Sequence, residues 1–212
     1  MTASPECDDR ATGRGALARQ RRRRQILDAA TEVFATRGYH EAGINDVIAT
    51  AKIARGTFYL YFSSKRSVFE AILDEALDAL RARVYPVDLA EGAASPSEQL
   101  LDQVLAVLGY LLENRSLTKL LLGPGLSLED EVVERLQAFS DDVLALLVAS
   151  LEHGIKLDLV RRCDTELVAS SILGAVRGVI VHLLRQEGAP DLERAADELL
   201  HFALAGVRKF GA

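Results

Sequence analysis

The spacing of apolar residues restricts this chain more than any other feature. They recur every three or four positions, the repeat of a helix with one buried stripe. Ile26, Ala30, Val33 and Phe34 show it first. Val68, Ile72, Leu73, Ala76 and Leu80 repeat it, and Leu192, Ala195, Ala196 and Leu199 carry it toward the C-terminal end. Sustained alternation is missing, as are Asn-Gly and Asp-Gly turns, so strands and hairpins are not expected. No segment repeats at a fixed period. The expected class is all-α, with about nine helices.

Capping and breaking residues divide the pattern. Gly38 ends the first helix as a C′ glycine, and short helices follow over 44–51 and 55–62, about three residues apart. Ser64 caps a longer helix, 65–84, which Pro86 closes before a loop over 87–94. Ser95-Pro96-Ser97-Glu98 is a capping box with proline at the first helical position, and that helix runs to about 114. A helix over 116–122 stops at Gly123-Pro124-Gly125. Ser127 caps the next, to about 152, and Asp164 caps another, to about 186. Gly188-Ala189-Pro190 breaks it, and Asp191 starts the last, ending near 210.

Hydrophobic residues make up 49% of the chain and charged residues 26%, enough apolar matter for a packed core. Cys7 and Cys163 are the only cysteines, which excludes a disulfide framework and suits a reducing compartment. No stretch approaches about 18 uninterrupted apolar residues, and Met1 to Arg24 lacks the apolar run of a signal peptide. A transmembrane helix is therefore not expected, and a cytoplasmic location is.

The net charge of −6 conceals a division. Residues 1–66 carry 12 Lys and Arg against 7 Asp and Glu, whereas residues 67–212 carry 13 against 24. A basic front on an acidic body suggests a polyanionic partner for the front alone. Arg19-Gln20-Arg21-Arg22-Arg23-Arg24 leads into the first helix, where cations oppose the macrodipole. The run is either a solvated helix start or a contact to phosphates or a minor groove.

Three short helices with the last two tightly joined form the geometry of a helix-turn-helix, whose second member enters the major groove. Phe58 and Phe62, four apart, turn inward toward Ile26, Phe34, Ile44 and Val47. That leaves Arg55, Thr57, Tyr59 and Tyr61 on or near the outer face. Arginine suits guanine or phosphate, threonine a base or a thymine methyl, and tyrosine hydroxyls suit phosphates. Gly56 lets the backbone approach closely. Lys65, beside the free N–H groups of the next helix, makes a phosphate clamp. Periodicity alone also allows a plain helix corner whose two aromatics are only core.

At these residues the chain resembles a known family. Gly38-Tyr39, Ile44-x-Asp46-Val47 and Gly56-Thr57-Phe58-Tyr59-Leu60-Tyr61-Phe62-x-Ser64-Lys65 resemble the N-terminal domain of the tetracycline-repressor (TetR) family of bacterial transcription regulators, over about residues 20–75. Little apolar content with Pro, Gly, Ser, Thr and mixed charge reads as a disordered N-terminal arm at 1–18, and the resemblance implies a helix-turn-helix DNA-binding domain at 19–66 and a helical ligand-binding and dimerisation domain at 67–212. It implies operator contacts from Arg55, Thr57 and Tyr59, phosphate contacts from Tyr61 and Lys65, and a helix held by Phe58. Asn45 and Gly56 complete the DNA-facing set.

Four positions depart from the family pattern. Gly43 stands where Thr or Ser is common, and Ala54 where Ser caps the recognition helix. Ile48 stands where a small alanine is usual. Lys52 occupies a glycine position, where a positive φ costs about 1 kcal/mol. These departures predict weaker local stability and operator affinity without a change of fold, and Lys52 is expected to offset part of the loss at a phosphate.

In the body, Ser170, Gly174 and Gly178 recur every four positions on one helix, making a flat groove for a partner helix. Leu199 and Phe202 belong to the stripe of the last helix. Together they are read as a dimer interface or, alternatively, as intramolecular core. The resemblance implies a homodimer on palindromic DNA, and an effector pocket among the middle helices. Polar heads there include Tyr110, Asn114, Arg115, Gln137, Arg177 and His182, with Phe139 as an apolar wall. The implied mechanism is a repressor released by a small, largely apolar effector, with the fourth helix as lever.

Catalysis is not expected. Glu198-x-x-His201 occurs once, without the second copy a di-iron bundle needs, and His40, His153, His182 and Cys163 lack zinc-ligand spacing. No P-loop, dinucleotide fingerprint or nucleophile elbow occurs, and neither cofactor nor metal is expected. The rival reading is a non-catalytic helical adaptor module whose basic arm binds an acidic protein. It accounts for the charge division but not for Arg55 to Lys65.

Overall fold

The computed structural model describes residues 6–122, 130–186 and 188–207. Among them are nine helices and no strand: α1 (Glu6–Arg37), α2 (Ile44–Ala51), α3 (Arg55–Tyr59), α4 (Lys65–Arg81), α5 (Pro96–Glu113), α6 (Arg115–Leu122), α7 (Asp130–Lys156), α8 (Thr165–Arg185) and α9 (Leu192–Val207). The all-α expectation holds in order and number. The cap expected at Ser127 and the helix end expected near 210 lie outside the described residues.

Several boundaries differ from expectation; α4 ends at Arg81 rather than 84. The first helix begins at Glu6, so residues 6–18, read as a disordered arm, are helical. The arginine run therefore lies within a helix rather than at its N-terminus, and the macrodipole no longer opposes it. α3 ends at Tyr59; the next residues keep turning, with the Phe62 N–H on the Phe58 carbonyl at 3.0 Å. α7 runs to Lys156, and Asp158 then reverses the chain at φ 59°.

The described residues fall into two compact units, one up to Ile72 and the other from Leu73 on. The division comes inside α4, later than the expected 66/67. In the first unit, Ile26, Ala30, Val33 and Phe34 of α1 form a core with Val47, Phe58, Phe62, Val68 and Phe69. Tyr39, immediately after the Gly38 turn at φ 81°, closes an aromatic cluster, its ring 5.3 Å from Phe34 and 4.9 Å from Phe69.

In the second unit, α5 packs on α9 and α7 on α8. Leu108, Leu111, Ile180 and Ala196 form one core cluster; Leu151 and Ala169 form another. The capping expectations at α5 and α8 are met. Ser95 Oγ accepts the Glu98 N–H at 3.2 Å while Glu98 accepts the Ser95 N–H at 2.8 Å. Asp164 accepts the Leu167 N–H at 3.0 Å. Thr118, fully buried, donates its hydroxyl to the Leu111 carbonyl, so a buried polar group is satisfied without water.

Candidate functional site

The turn between α2 and α3 is built from substitutes. Gly43 has no side chain to cap α2. Asp46 supplies half a capping box, its Oδ2 accepting the Gly43 N–H at 2.9 Å while Oδ1 holds the Arg37 guanidinium at 2.7 Å. Lys52 ends α2 at φ 52°, ψ 48°, the left-handed conformation expected of it. The Ile53 N–H then closes on the Ile48 carbonyl at 3.3 Å. Ala54 gives α3 no side-chain cap, so only its carbonyl takes the Thr57 N–H, at 2.9 Å. Gln25 reaches in from α1, where Nε2 donates to the Ala51 carbonyl at 2.6 Å and Oε1 accepts from Arg22 at 2.7 Å. An orphan carbonyl at the end of α2 is thereby satisfied. Sequence reasoning missed Gln25, whose position on α1 reads as surface.

The short α3 sorts its residues sharply. Phe58 is 0% exposed and Phe62 5%, whereas Tyr59 is 45% and Leu60 74% exposed. Arg55 and Gly56 are exposed, as is Asn45 on α2; Thr57 and Tyr61 are half-buried. The Arg55 guanidinium lies 5.9 Å over the Tyr59 ring, which orders both on the outer face. The aromatic pair thus fixes α3 from below and leaves a row of donors above.

Lys65 differs from its expected role. Its ammonium donates to the carbonyls of Tyr39, His40 and Ala42 at 2.9, 3.2 and 3.1 Å and lies 4.4 Å over the Tyr39 ring. All three N–H donors are turned inward to tie down the α1–α2 connection, so the clamp read from the sequence is a tether. Two other cations take a place at the outer face. Arg19 and Arg22 of α1, with Leu60 and Tyr61, line an open groove of about 550 Å³. Arg23, one residue on, lies 5.6 Å over the Phe62 ring.

In the second unit the expected effector residues do not converge. Tyr110 packs on the first core cluster with Arg83 4.3 Å over its ring, and Asn114 turns back to donate to the Tyr110 carbonyl. Arg115 and Arg177 are exposed and donate to the Leu184 and Leu122 carbonyls, at 2.8 and 3.4 Å. Phe139 is buried, and Gln137 and His182 are exposed. An open groove of about 510 Å³ lies elsewhere, lined by Asp141, Leu144, Val148, Glu152 and Glu166 among others.

The expected interface residues separate. Ser170, Gly174 and Gly178 are exposed, and a Cβ added at either glycine would meet nothing within 4 Å. Phe202 is 70% exposed, but Leu199 is 5% exposed and belongs to the core of its own unit. Three residues along a helix turn the side chain by about 60°. Leu199 and Phe202 therefore sit on different sides of one apolar stripe. The α8 helix is also long and apolar enough to cross a membrane, with mean hydropathy 1.9 and only 17% of the window buried. The sequence reading missed this because serine, glycine and one arginine interrupt the apolar run, while its mean stays high enough for a membrane span. Among the described residues no group of three or more His, Cys, Asp or Glu side chains could hold a metal ion.

Comparison with known proteins accounts for this arrangement. The family of bacterial regulatory proteins, tetR family, matches residues 26–72, and the tetracyclin repressor-like C-terminal domain matches residues 93–207. The crystal structure of a TetR-like transcriptional regulator from Rhodococcus sp. RHA1 is 31% identical, with a TM-score of 0.65, over 87% of this chain and 94% of that one. The fatty acid metabolism regulator protein of Bacillus subtilis is 25% identical over 86% of this chain and 94% of its own. The transcriptional activator FasR of Mycolicibacterium smegmatis is 27% identical, over 90% and 85%. Members of this family bind DNA operators and small-molecule effectors, typically as dimers, and are regulators rather than enzymes. The chain belongs to the TetR family of bacterial transcriptional regulators.

Proposed function

We propose that this regulator is a repressor that binds a palindromic operator as a homodimer and is released by a small, largely apolar effector. The observation that carries the DNA half is the sorting of α3, with Phe58 and Phe62 buried beneath exposed Arg55 and Tyr59. Arg55 and Thr57 read base edges, Gly56 admits the backbone, and Asn45, Tyr59 and Tyr61 reach the duplex beside them. Arg19 and Arg22 add phosphate contacts at the groove they share with Tyr61.

The homodimer is supported by the unpartnered apolar surface of α8 and α9: Leu167, Ser170, Gly174, Gly178 and Phe202 lie exposed. Small residues every four positions favour a second helix over lipid as the cover. A homodimer on palindromic DNA presents two recognition helices about 34–36 Å apart, one turn of the duplex. The effector class is supported by the Leu- and Val-rich α5 and by the fatty acid relative named above. The α4 helix, continuous across the division of the chain, is the lever.

Selection from random duplex DNA at about 0.15 M salt, near physiological ionic strength, tests the proposal. A palindromic motif that disappears with Thr57→Ala or Tyr59→Ala supports it. Binding without an enriched motif, unchanged by either substitution, refutes it. A reporter behind the selected site, with and without the protein, then distinguishes a repressor from an activator.

A further inference from the structure

Two glutamines one turn apart on α5 behave differently. Gln99 and Gln103 are both buried, at 8% and 6% exposure. Gln99 is fully used. Its Oε1 accepts the Asp88 N–H at 2.8 Å, and Nε2 donates to the Asp88 and Ala94 carbonyls at 2.7 Å each. Gln103 is half used. Its Oε1 accepts the Tyr85 N–H at 3.2 Å, while Nε2 is buried with no acceptor. The bond from Tyr85 fixes the orientation, because a flipped carboxamide would set one N–H against another. A buried donor left unmade opposes folding, a cost Gln99 one turn earlier does not carry.

The surroundings suit an amphipathic molecule. Val107, one turn beyond Gln103 on the same side of α5, is only partly buried. Tyr110 lies two turns beyond Gln103 on its side of α5, under the Arg83 guanidinium. The chain leaving α4 therefore runs along α5 in register: Arg83 on Tyr110, Tyr85 on Gln103, Asp88 on Gln99.

We propose that Gln103 Nε2 is the polar anchor of the effector site, donating to a carbonyl or carboxylate oxygen on the head of an amphipathic effector whose apolar tail lies along α5. This rests on the effector half of the proposed function. The other end of the same carboxamide holds Tyr85, four residues beyond the last residue of α4. One side chain thus joins the ligand head to the exit of the lever. Capture of an acceptor by Nε2 reorients the carboxamide and shifts the backbone that follows α4.

The test uses the full chain with lauric acid, methyl laurate and dodecane as probes, read by calorimetry and by release of the selected operator. Wild type binds the acid and the ester about tenfold or more tighter than dodecane, the factor a buried donor confers. Gln103→Glu keeps an acceptor for Tyr85 but replaces the donor with oxygen, and it loses about tenfold in affinity for both oxygen-bearing probes. Gln103→Leu, which removes the orphan amide donor and leaves the part-buried Tyr85 N–H to water, serves where the glutamate variant does not fold and abolishes the discrimination against dodecane. Binding of all probes that is indifferent to both substitutions overturns the anchor and leaves the effector reading standing. Failure of all three probes to bind overturns both.

Discussion

Lys65→Met removes an ammonium while keeping the length and apolar stem of the side chain. Three carbonyls lose a donor, those of Tyr39 and Ala42 partly buried and that of His40 exposed. Hydrogen bonds from charged donors contribute about 1.5–3 kcal/mol when shielded. Partial exposure reduces the first two to about 1 kcal/mol each, and water replaces most of the third. The ammonium over the Tyr39 ring adds about 0.5–1 kcal/mol. The loss is therefore about 3 kcal/mol. With a urea slope of about 2 kcal/mol/M, the midpoint for the first unit falls by about 1.5 M. Near-ultraviolet dichroism follows this unit through Tyr39, Tyr59 and Tyr61. The same variant is then titrated against operator DNA at several salt concentrations, well below its midpoint. Loss of one phosphate contact lowers the logarithmic salt slope by about 0.9. A tether leaves the slope unchanged. A slope reduced by that amount, with the urea midpoint unmoved, refutes the reasoning and restores Lys65 to the DNA.

Three further outcomes follow from the geometry. Lys52→Gly relieves the left-handed residue that ends α2 and raises stability by about 1 kcal/mol, measured by urea titration; if Lys52 also meets a phosphate, the salt slope of operator binding falls. A Cβ at Gly154 would lie 2.7 Å from Val160 Cγ2, so Gly154→Ala lowers stability by about 1 kcal/mol in spite of better helix propensity, seen as a lower melting temperature. The Ser95 side chain and then its backbone N–H hold the Glu98 carboxyl below its ordinary value. The capping box is therefore at full strength above the ordinary carboxyl range and is lost as pH falls through the depressed value. NMR titration of Ser95→Ala moves the Glu98 midpoint upward.

What the sequence disclosed and what it withheld divide along a physical line. Periodicity and caps are local. Phe58 and Phe62, the Ser95–Glu98 box and Asp164 were all legible from residues within a few positions, whereas the left-handed Lys52 followed only from the family resemblance. The heads of long polar side chains were not. Gln25 finds Ala51, Arg115 finds Leu184 and Lys65 finds Tyr39, all carbonyls remote in sequence. A pattern shows which face such a residue occupies but not which backbone group its head meets. Leu199 shows a second limit. A stripe wide enough for two partners does not reveal which residues serve the core and which the outside. Gln103 shows a third, since satisfaction of a buried amide depends on the whole enclosing shell.

The length of α1 bears on the speed of encounter. Its 32 residues span about 48 Å, and the arginine run sits partway along. A disordered arm must be ordered residue by residue when it meets a polyanion, at about 1–2 kcal/mol for each backbone unit. Cations fixed on a helix are ordered when the protein folds. A phosphate array approaching this face meets charges already at set intervals, so collisions convert to contacts without a search through chain conformations. The residence of the protein on arbitrary DNA, and its rate of travel along it, then depend on ionic strength rather than on the folding of a tail.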